Sequence, residues 1–275
     1  MTIFTARNAT DDKVLQGTLL ANPKSPKAAI ALVHGFGEHA GRYARVAPLF
    51  EAAGIALLGL DLHGHGRTPG PRGRVDRYER LREDVDALLE HARERYPKLP
   101  LFLWGHSMGG GLVLNYLLNR GDSGLRGAIA TAPLIRAVDA PPKPVMTLLG
   151  LLRRVAPGFS IANSIEAEAI STLPEEQKAY AEDALNHDRL GVGLGVGMLR
   201  AGETTLSKAA EFPVPLLLMH SRDDKLTDFF ASEAFAKACP DCNFHPFEGV
   251  EHELHNDTSR EHVVQLMTQF VEAHR

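Results

Sequence analysis

The chain of 275 residues lacks several features that would each indicate a particular class of protein. No run of roughly 18 or more apolar residues is present to span a bilayer. The first residues, MTIFTARNATDDK, lack the basic start, apolar run and small-residue cleavage site of a secretory signal. Positive charge is not in excess either, because the net charge is −4 and the pI ≈ 6.4, which argues against nucleic acid as a partner. We therefore expect a soluble, cytoplasmic protein that acts on a small molecule.

Cysteine is scarce as well, and the only two, Cys239 and Cys242, are spaced as C-P-D-C. This spacing matches the Cys-x-x-Cys of redox sites. A redox pair sits at a helix N-terminus, however, whereas this pair follows the helical pattern FFASEAFAKA and precedes a strand. We favour two incidental thiols, with redox chemistry as the alternative.

What the chain does contain is a regular alternation of short apolar segments and helical patterns. The segment 81–96, for example, carries its apolar residues on one helical face and ends at Pro97. Strands that are apolar throughout suit a parallel sheet covered by helices on both sides, so an α/β fold is predicted. The predicted strands are AAIALVH, GIALLGLD, LFLWGH, GAIATAP, PLLLMH and NFHPF.

The alternation fails between residues 135 and 213, where two helices are predicted, over 145–155 and 174–186, without a strong strand pattern. In this stretch GVGLGVG, residues 191–197, lacks the G-x-G-x-x-G spacing and follows no strand, so we interpret it as a flexible or closely packed piece of an insertion rather than a nucleotide loop. The predicted domains are a core of residues 1–134 and 214–275 and an inserted, mainly helical cap of residues 135–213.

The strongest local signal runs from Leu101 to Asn119, where the strand LFLW leads into G-H-S-M-G and then into a helical pattern. A serine in such a strand-turn-helix has a strained backbone that projects its hydroxyl above the sheet. Gly105 and Gly109 leave room for the close approach that this turn needs. We predict Ser107 as a nucleophile; the alternative is a helix-capping serine in a tight turn.

A serine hydroxyl is a weak nucleophile, so an imidazole must take its proton and later deliver it to the leaving group. In this architecture the partners follow the serine in the order Asp, His, which confines the base to the C-terminal third of the chain. His252, in FEGVEHELH, lies between the last predicted strand and the final helix and is the predicted base. His245 and His255 are the alternatives. H-E-L-H is one residue short of the H-E-x-x-H zinc spacing, so a metal is disfavoured.

The acid that orients the base is expected in the loop after the strand PLLLMH, which reads SRDDKLTD. Three aspartates lie there. Asp224 is predicted, with Asp223 second and Asp228 third, because the other two suit a solvated turn or a helix N-terminus.

The tetrahedral intermediate of acyl transfer needs preorganised N–H donors for its oxyanion. The amide of Met108, directly after the nucleophile, is one predicted donor. The second is the amide of Phe36 in the loop of ALVHGFGEH, whereas His34 is expected to fix that loop rather than to touch substrate.

Together these motifs resemble the monoacylglycerol lipase and lysophospholipase branch of the α/β-hydrolases. The resemblance covers nearly the whole chain and is weakest in the cap. It implies a mostly parallel sheet of about eight strands and ester hydrolysis without a metal or organic cofactor, and it supports the triad Ser107, Asp224, His252. One departure is Ser221, which stands where the usual His-Gly-x-x-Asp motif has glycine. The motifs are HGFGEHAGRY, DLHGHGRTPGPRG, GHSMGGG, HSRDDKLTD and GVEHELH.

Two surface features bear on the substrate. VMTLLGLLRRVA in the cap has a broad apolar face beside Arg153 and Arg154, which suits a lid for an acyl chain, a lipid contact or an ordinary packed helix. The arginines between residues 67 and 82 would bind a lysophospholipid phosphate, but interspersed acids favour a solvated face with local ion pairs.

The sequence therefore predicts an esterase or lipase that forms an acyl-enzyme on Ser107, with monoacylglycerol as the leading substrate. Lysophospholipids, short-chain esters and amides are the alternatives, and a peptidase or C–C bond hydrolase would share the triad. A hypothesis of another class is a non-catalytic receptor for a small apolar ligand on the same fold. Acyl-chain length and oligomeric state depend on features that the sequence does not reveal.

Overall fold

The structure, a computed structural model, describes residues 1–156 and 158–275, apart from the side chains of Lys143 and Arg154. The strands within those residues are β1 (Thr2–Arg7), β2 (Val14–Ala21), β3 (Ala28–Val33), β4 (Ile55–Leu60), β5 (Leu101–His106), β6 (Gly127–Thr131), β7 (Ser160–Ala162), β8 (Arg189–Gly191), β9 (Leu216–Ser221) and β10 (Cys242–Phe247). The α-helices are α1 (Ala47–Ala52), α2 (Glu79–Arg95), α3 (Met108–Arg120), α4 (Lys143–Val155), α5 (Pro174–Glu182), α6 (Val192–Ser207), α7 (Phe229–Ala238) and α8 (Arg260–His274). No α-helix within the described residues is long and apolar enough to cross a membrane.

Eight strands form one sheet in the order β1-β2-β4-β3-β5-β6-β9-β10. From β4 to β10 all neighbours are parallel, as predicted, whereas β1 and β2 add an antiparallel edge that the sequence pattern did not reveal. The chain passes from β3 to β4 on one side and then to β5 on the other. The carboxyl ends of β3 and β5 therefore flank a reversal of strand order, where open α/β sheets bind ligands.

The central strands are buried on both faces, which explains why their sequences are apolar throughout. Alternate residues of β3 supply two different cores. Ala29, Ala31 and Val33 pack in the core that α2, α3 and α7 cover, whereas Ile30 and Leu32 pack in the core beneath α1 and α8. The result is a sheet between two helical layers, as in α/β-hydrolases.

The described residues of the segment 135–213 contribute no strand to the large sheet and instead form α4, α5, α6 and the small β7–β8 pair. The predicted helix over 174–186 ends earlier, at Glu182. Helix α6 was not predicted, because its first turns are the glycine-rich GVGLGVG, in which helical periodicity is hard to see. Glycine is needed there for close packing: a Cβ on Gly197 would lie 2.7 Å from the Cβ of Tyr78.

Candidate active site

Ser107 occupies the sharp turn between β5 and α3, with φ 55° and ψ −120°. A positive φ is uncommon for a residue with a side chain and costs on the order of 1–3 kcal/mol. The turn is held by a bond from the Ser107 amide to the Thr131 carbonyl at 3.0 Å and one from the Leu134 amide to the Ser107 carbonyl at 2.8 Å. A Cβ on Gly109 would lie 2.2 Å from the carbonyl oxygen of Val33, so only glycine fits beside the turn.

The loops after β9 and β10 bring a carboxylate and an imidazole together. His252 Nδ1 donates to Asp224 Oδ2 at 2.6 Å, and both side chains are almost fully buried. Burial lowers the pKa of His252, but the charge of Asp224 and the hydrogen bond outweigh it, so the pKa lies above its ordinary value. The bond leaves His252 Nε2 as the atom that can accept a proton.

The Asp224 carboxylate accepts hydrogen bonds on both oxygens. Oδ1 accepts from the amides of Leu226 at 2.8 Å and Thr227 at 3.0 Å, while Oδ2 accepts from the Thr227 hydroxyl at 2.8 Å and from His220 Nε2 at 3.0 Å, in addition to His252. Burial raises the pKa of Asp224, but the charge of His252 and these bonds outweigh it and hold the pKa well below its usual range. Asp224 is therefore an anion.

His220 is a residue of this site that the sequence analysis missed. Its side chain is fully buried at the end of β9, and its Nδ1 lies 2.8 Å from the hydroxyl of Ser232. Because a carboxylate only accepts, Nε2 carries the proton toward Asp224 and Nδ1 accepts from Ser232. The histidine of the His-x-x-x-Asp pattern was the available signal.

Ser221, the departure from the usual motif, also has a structural explanation. Its hydroxyl donates to the carbonyl of Val250 at 2.6 Å and accepts from the amide of Asp223 at 3.1 Å. One side chain thus ties the loop of Asp224 to the loop of His252.

The alternative residues lie elsewhere. His245 is on β10, and His255 stacks on Tyr43 with ring centroids 4.5 Å apart. Burial lowers the pKa of His255 to about 3. Among the described residues, neither histidine hydrogen-bonds to a carboxylate, and no group of three or more His, Cys, Asp or Glu side chains is placed to hold a metal ion.

The two other aspartates have structural partners. Asp223 accepts from the amide of Gly249 at 2.7 Å on the exposed surface. Asp228 caps α7 by accepting from the amide of Phe230 at 2.9 Å. The geometry therefore groups only Asp224 with His252.

The loop after β3 lies against the nucleophile: a Cβ on Gly35 would be 3.2 Å from the Cβ of Ser107. His34 is fully buried, donates from Nδ1 to the Gly35 carbonyl at 2.7 Å and accepts at Nε2 from the Leu62 amide at 3.0 Å, consistent with its predicted role in fixing this loop. The amides of Phe36 and Met108 donate to no protein acceptor within the described part of the chain. Both remain available to a ligand.

The loop that carries His252 is also hydrogen-bonded to a segment that is distant in the sequence. Residues 169–172, which we call the strap, lie within the segment 135–213 and bind residues 252–257. The bonds run from the His252 amide to the Ala169 carbonyl at 3.3 Å, from the Glu253 amide to the Ile170 carbonyl at 2.8 Å, from the Ser171 hydroxyl to the Asn256 carbonyl at 2.8 Å and from the Thr172 amide to Asp257 Oδ2 at 2.8 Å.

The proposed nucleophile and the proposed base are not in direct contact through a hydrogen bond. No hydrogen bond links the Ser107 hydroxyl to the His252 ring among the residues described. Such bonds are often long without substrate and shorten in the complex. The structure thus brings Asp224 to His252 and the Phe36 loop to Ser107, and leaves the hydroxyl of Ser107 open toward a cavity.

That cavity has a volume of about 390 Å³ and opens at Ser107. Its walls come from the loops after β3, β5, β6 and β9 and from α4 and α6, and they are mostly apolar. Such a pocket suits an apolar ligand with a few polar contacts near the nucleophile. The apolar wall includes Phe36, Leu134, Met146, Leu149, Ile165, Leu190, Val192, Val196 and Leu199.

Comparison with known proteins identifies a matching family and several similar chains. The family model described as Hydrolase_4, serine aminopeptidase, S33, matches residues 24–259. A monoacylglycerol lipase from Mycolicibacterium smegmatis is 31% identical over 252 residues, 90% of this chain and 89% of that protein. An abhydrolase domain-containing protein from Dictyostelium discoideum is 32% identical over 275 residues. The match covers 98% of this chain but only 29% of that longer protein. The crystal structure of a monoacylglycerol lipase from Paleococcus ferrophilus superposes with a TM-score of 0.85 at 29% identity, covering 95% of this chain and 99% of that one.

Proposed function

This chain belongs to the serine aminopeptidase S33 family of α/β-hydrolases, and we propose that it hydrolyses carboxylic esters of lipids, with monoacylglycerol as the leading substrate. The observation that carries the proposal is the apolar cavity of about 390 Å³ that opens at Ser107, beside two free backbone amides. The similarity to monoacylglycerol lipases adds support. The products would be a fatty acid and glycerol.

In the proposed mechanism Ser107 attacks the acyl carbonyl while His252 takes its proton. The amides of Phe36 and Met108 donate to the oxyanion that develops, and Asp224 holds the imidazole in the required tautomer and stabilises its charged form. His252 then protonates the departing glycerol oxygen. Water, activated by the same imidazole, releases the fatty acid from the acyl-enzyme.

Residues 135–213 are proposed to form a cap that encloses the acyl chain. In support, α4 and α6 supply the cavity wall opposite the core, and the residues of α4 that face the cavity, Met146 and Leu149, are apolar. Transfer of an acyl chain from water into this cavity would be favourable by roughly 0.8 kcal/mol for each buried methylene. The cavity therefore favours substrates with an acyl chain over small esters.

Leu149→Trp is expected to move the preference toward shorter acyl chains. The larger side chain enters the cavity and displaces the distal part of a long chain, so kcat/KM should fall about tenfold or more for long-chain monoacylglycerols, which corresponds to the loss of about two buried methylenes. Hydrolysis of a monoacylglycerol chain-length series, with a short aryl ester as reference, provides the measurement.

The matched control is Leu148→Trp, because Leu148 is the preceding residue of α4 but has 65% of its surface exposed. It should leave the chain-length profile unchanged. If both variants have the wild-type profile, the acyl chain does not lie against Leu149. If the wild-type protein turns over only the aryl ester, monoacylglycerol is not the substrate.

The outer face of α4 is proposed to make transient contact with lipid surfaces. Val145, Leu148, Leu151 and Val155 lie along one side of the helix with 42%, 65%, 54% and 82% of their surfaces exposed. An exposed apolar stripe on a helix that also lines the substrate cavity suits a peripheral lipid contact. A cytoplasmic location remains a prediction from the sequence.

The double substitution Leu148→Glu and Leu151→Glu should weaken binding to phosphatidylcholine vesicles at least about tenfold, because it removes two apolar side chains from the contact and adds charge. Turnover of a soluble aryl ester should stay close to wild type. Vesicle co-sedimentation measures the binding, and steady-state kinetics measure the turnover.

The control is the double substitution Ile3→Glu and Val14→Glu, which changes two exposed apolar residues of the β1–β2 edge. Equal loss of vesicle binding in both double variants would refute a specific role for α4.

The arginine run between residues 67 and 82 does not favour a lysophospholipid headgroup. Arg77 pairs with Glu83 at 2.8 Å and Arg80 pairs with Asp76 at 3.0 Å, so two of these cations are already engaged locally. Lysophospholipase activity therefore stays behind monoacylglycerol hydrolysis.

A further inference from the structure

Three ionisable side chains that the mechanism does not use are buried beside the catalytic loops. Arg42 Nε lies 3.1 Å from Glu38 Oε2, and Arg42 Nη2 lies 2.9 and 2.7 Å from the two carboxylate oxygens of Glu253. Their side chains expose only 5%, 3% and 3% of their surfaces. We call this group the buried charge cluster.

On one side, the buried charge cluster holds the loop of the proposed oxyanion donor. Glu38 Oε1 accepts from the amide of Gly35 at 2.5 Å and from the hydroxyl of Tyr43 at 2.8 Å. Gly35 directly precedes Phe36 and lies against Ser107. The orientation of the Phe36 amide therefore depends on where the Glu38 carboxylate is held.

On the other side, the cluster holds the loop of the proposed base. Glu253 follows His252 in the chain, and its Oε2 also accepts from the side-chain amide of Asn256 at 2.8 Å. The Arg42 guanidinium lies 4.8 Å from the ring centre of Tyr180, at the end of α5 in the proposed cap. Arg42 thus contacts the oxyanion loop, the histidine loop and the cap.

Burying two carboxylates and a guanidinium is not an economical way to stabilise a fold, because desolvation offsets most of the attraction. Burial and the nearby Glu253 raise the pKa of Glu38 to about 7, with Arg42 acting in the opposite direction. Arginine suits the site because its planar fork donates in two directions at fixed angles, which a lysine ammonium does not do. The arrangement therefore specifies geometry more than stability.

We propose that Arg42 is a positioning residue that sets the separation between the oxyanion loop and the histidine loop, through Glu38 on one side and Glu253 on the other. The inference rests on the proposed function of Ser107 and His252. It also explains why Arg42 and Glu253, 211 residues apart in the chain, form a buried ion pair in which Nη2 contacts both carboxylate oxygens. Ester turnover would need both loops at the spacing that Arg42 imposes.

The test compares Arg42→Lys with wild type on a short aryl ester and in fluorophosphonate labelling of Ser107. The lysine side chain keeps the positive charge, so the protein should fold. It lacks the planar guanidinium that donates to Glu38 and Glu253 in two fixed directions. We expect kcat to fall about 100-fold with KM within about threefold, as for a misplacement of the reacting groups by about 1 Å. The labelling rate should fall in parallel. Thermal unfolding gives the folded fraction at the assay temperature.

Arg45→Lys is the matched control, because Arg45 lies one turn further on and pairs with Glu176 at 3.0 Å but is half exposed. It should retain wild-type kcat. A second variant, Glu253→Gln, keeps a hydrogen-bond acceptor but removes a charge that raises the pKa of His252, so the acidic limb of its kcat/KM profile should move to lower pH.

The outcomes separate the inference from the function on which it rests. Arg42→Lys with kcat within about threefold of wild type, or with a loss that matches only its unfolded fraction, overturns the positioning role while leaving Ser107 as nucleophile. A wild-type protein with no turnover and no labelling at Ser107 overturns the proposed function and the inference with it.

Discussion

Replacing Ser107 with alanine is expected to abolish ester turnover, lowering kcat by on the order of 10⁶-fold. The substitution removes the atom that would form the acyl-enzyme, while the cavity and the oxyanion amides remain. Substrate binding should therefore persist, and binding of a monoacylglycerol should be measurable in the variant without hydrolysis. Steady-state kinetics on a monoacylglycerol and on an aryl ester provide the measurement.

A fluorophosphonate adds an independent measure, because it modifies only an activated serine. Mass spectrometry should place the adduct on Ser107 in wild type and find none in the alanine variant. Ser164→Ala, a second serine that lines the same cavity, should keep turnover and labelling. Binding of apolar ligands by a wild-type protein that neither reacts nor turns over would favour the receptor hypothesis.

Asp224→Asn should lower kcat by on the order of 10⁴-fold and change its pH dependence. The asparagine amide can donate toward His252 Nδ1, which favours the tautomer with its proton on Nε2, the nitrogen that must accept from Ser107. The loss of charge also removes the main group that raises the pKa of His252. Since the base works only when neutral, activity rises with pH through this pKa, and the acidic limb should move to lower pH in the variant.

Asp223→Asn is the control for this substitution, because Asp223 is the adjacent carboxylate and its side chain accepts from the Gly249 amide on the exposed surface rather than from His252. Its kcat and pH profile should match those of wild type. A larger loss in Asp223→Asn than in Asp224→Asn would show that the acid had been assigned to the wrong residue.

Local features of the fold follow closely from the sequence. The turn at Ser107 is specified by neighbouring residues, since the apolar strand, the flanking glycines and the helical pattern all lie within 101–119. The buried parallel strands were predictable for the same reason: each contains a continuous apolar run. Helix α6 was missed because its glycines pack against the backbone and side chains of other segments, which no local pattern reports.

Contacts between distant segments were harder to predict. Asp224 and His252 could be placed because both follow strands whose carboxyl ends share one edge of the sheet. His220 was missed although the His-x-x-x-Asp pattern contains it, because that pattern was used to place only the aspartate. The pairing of Arg42 with Glu253 depends on how two loops from opposite ends of the chain fold together, and neither residue type indicates the other.

The strap has a consequence for protein engineering. Residues 169–172 bond through backbone groups and hydroxyls to the same short loop that carries His252, so the proposed cap, residues 135–213, is not a detachable module. A chimera that exchanges residues 135–213 for the corresponding segment of a relative would replace the support of the imidazole together with the proposed acyl pocket. Grafts confined to residues 138–165 would alter the pocket wall and the outer face of α4 while retaining that support, which makes this shorter boundary the natural one for redesigning substrate scope.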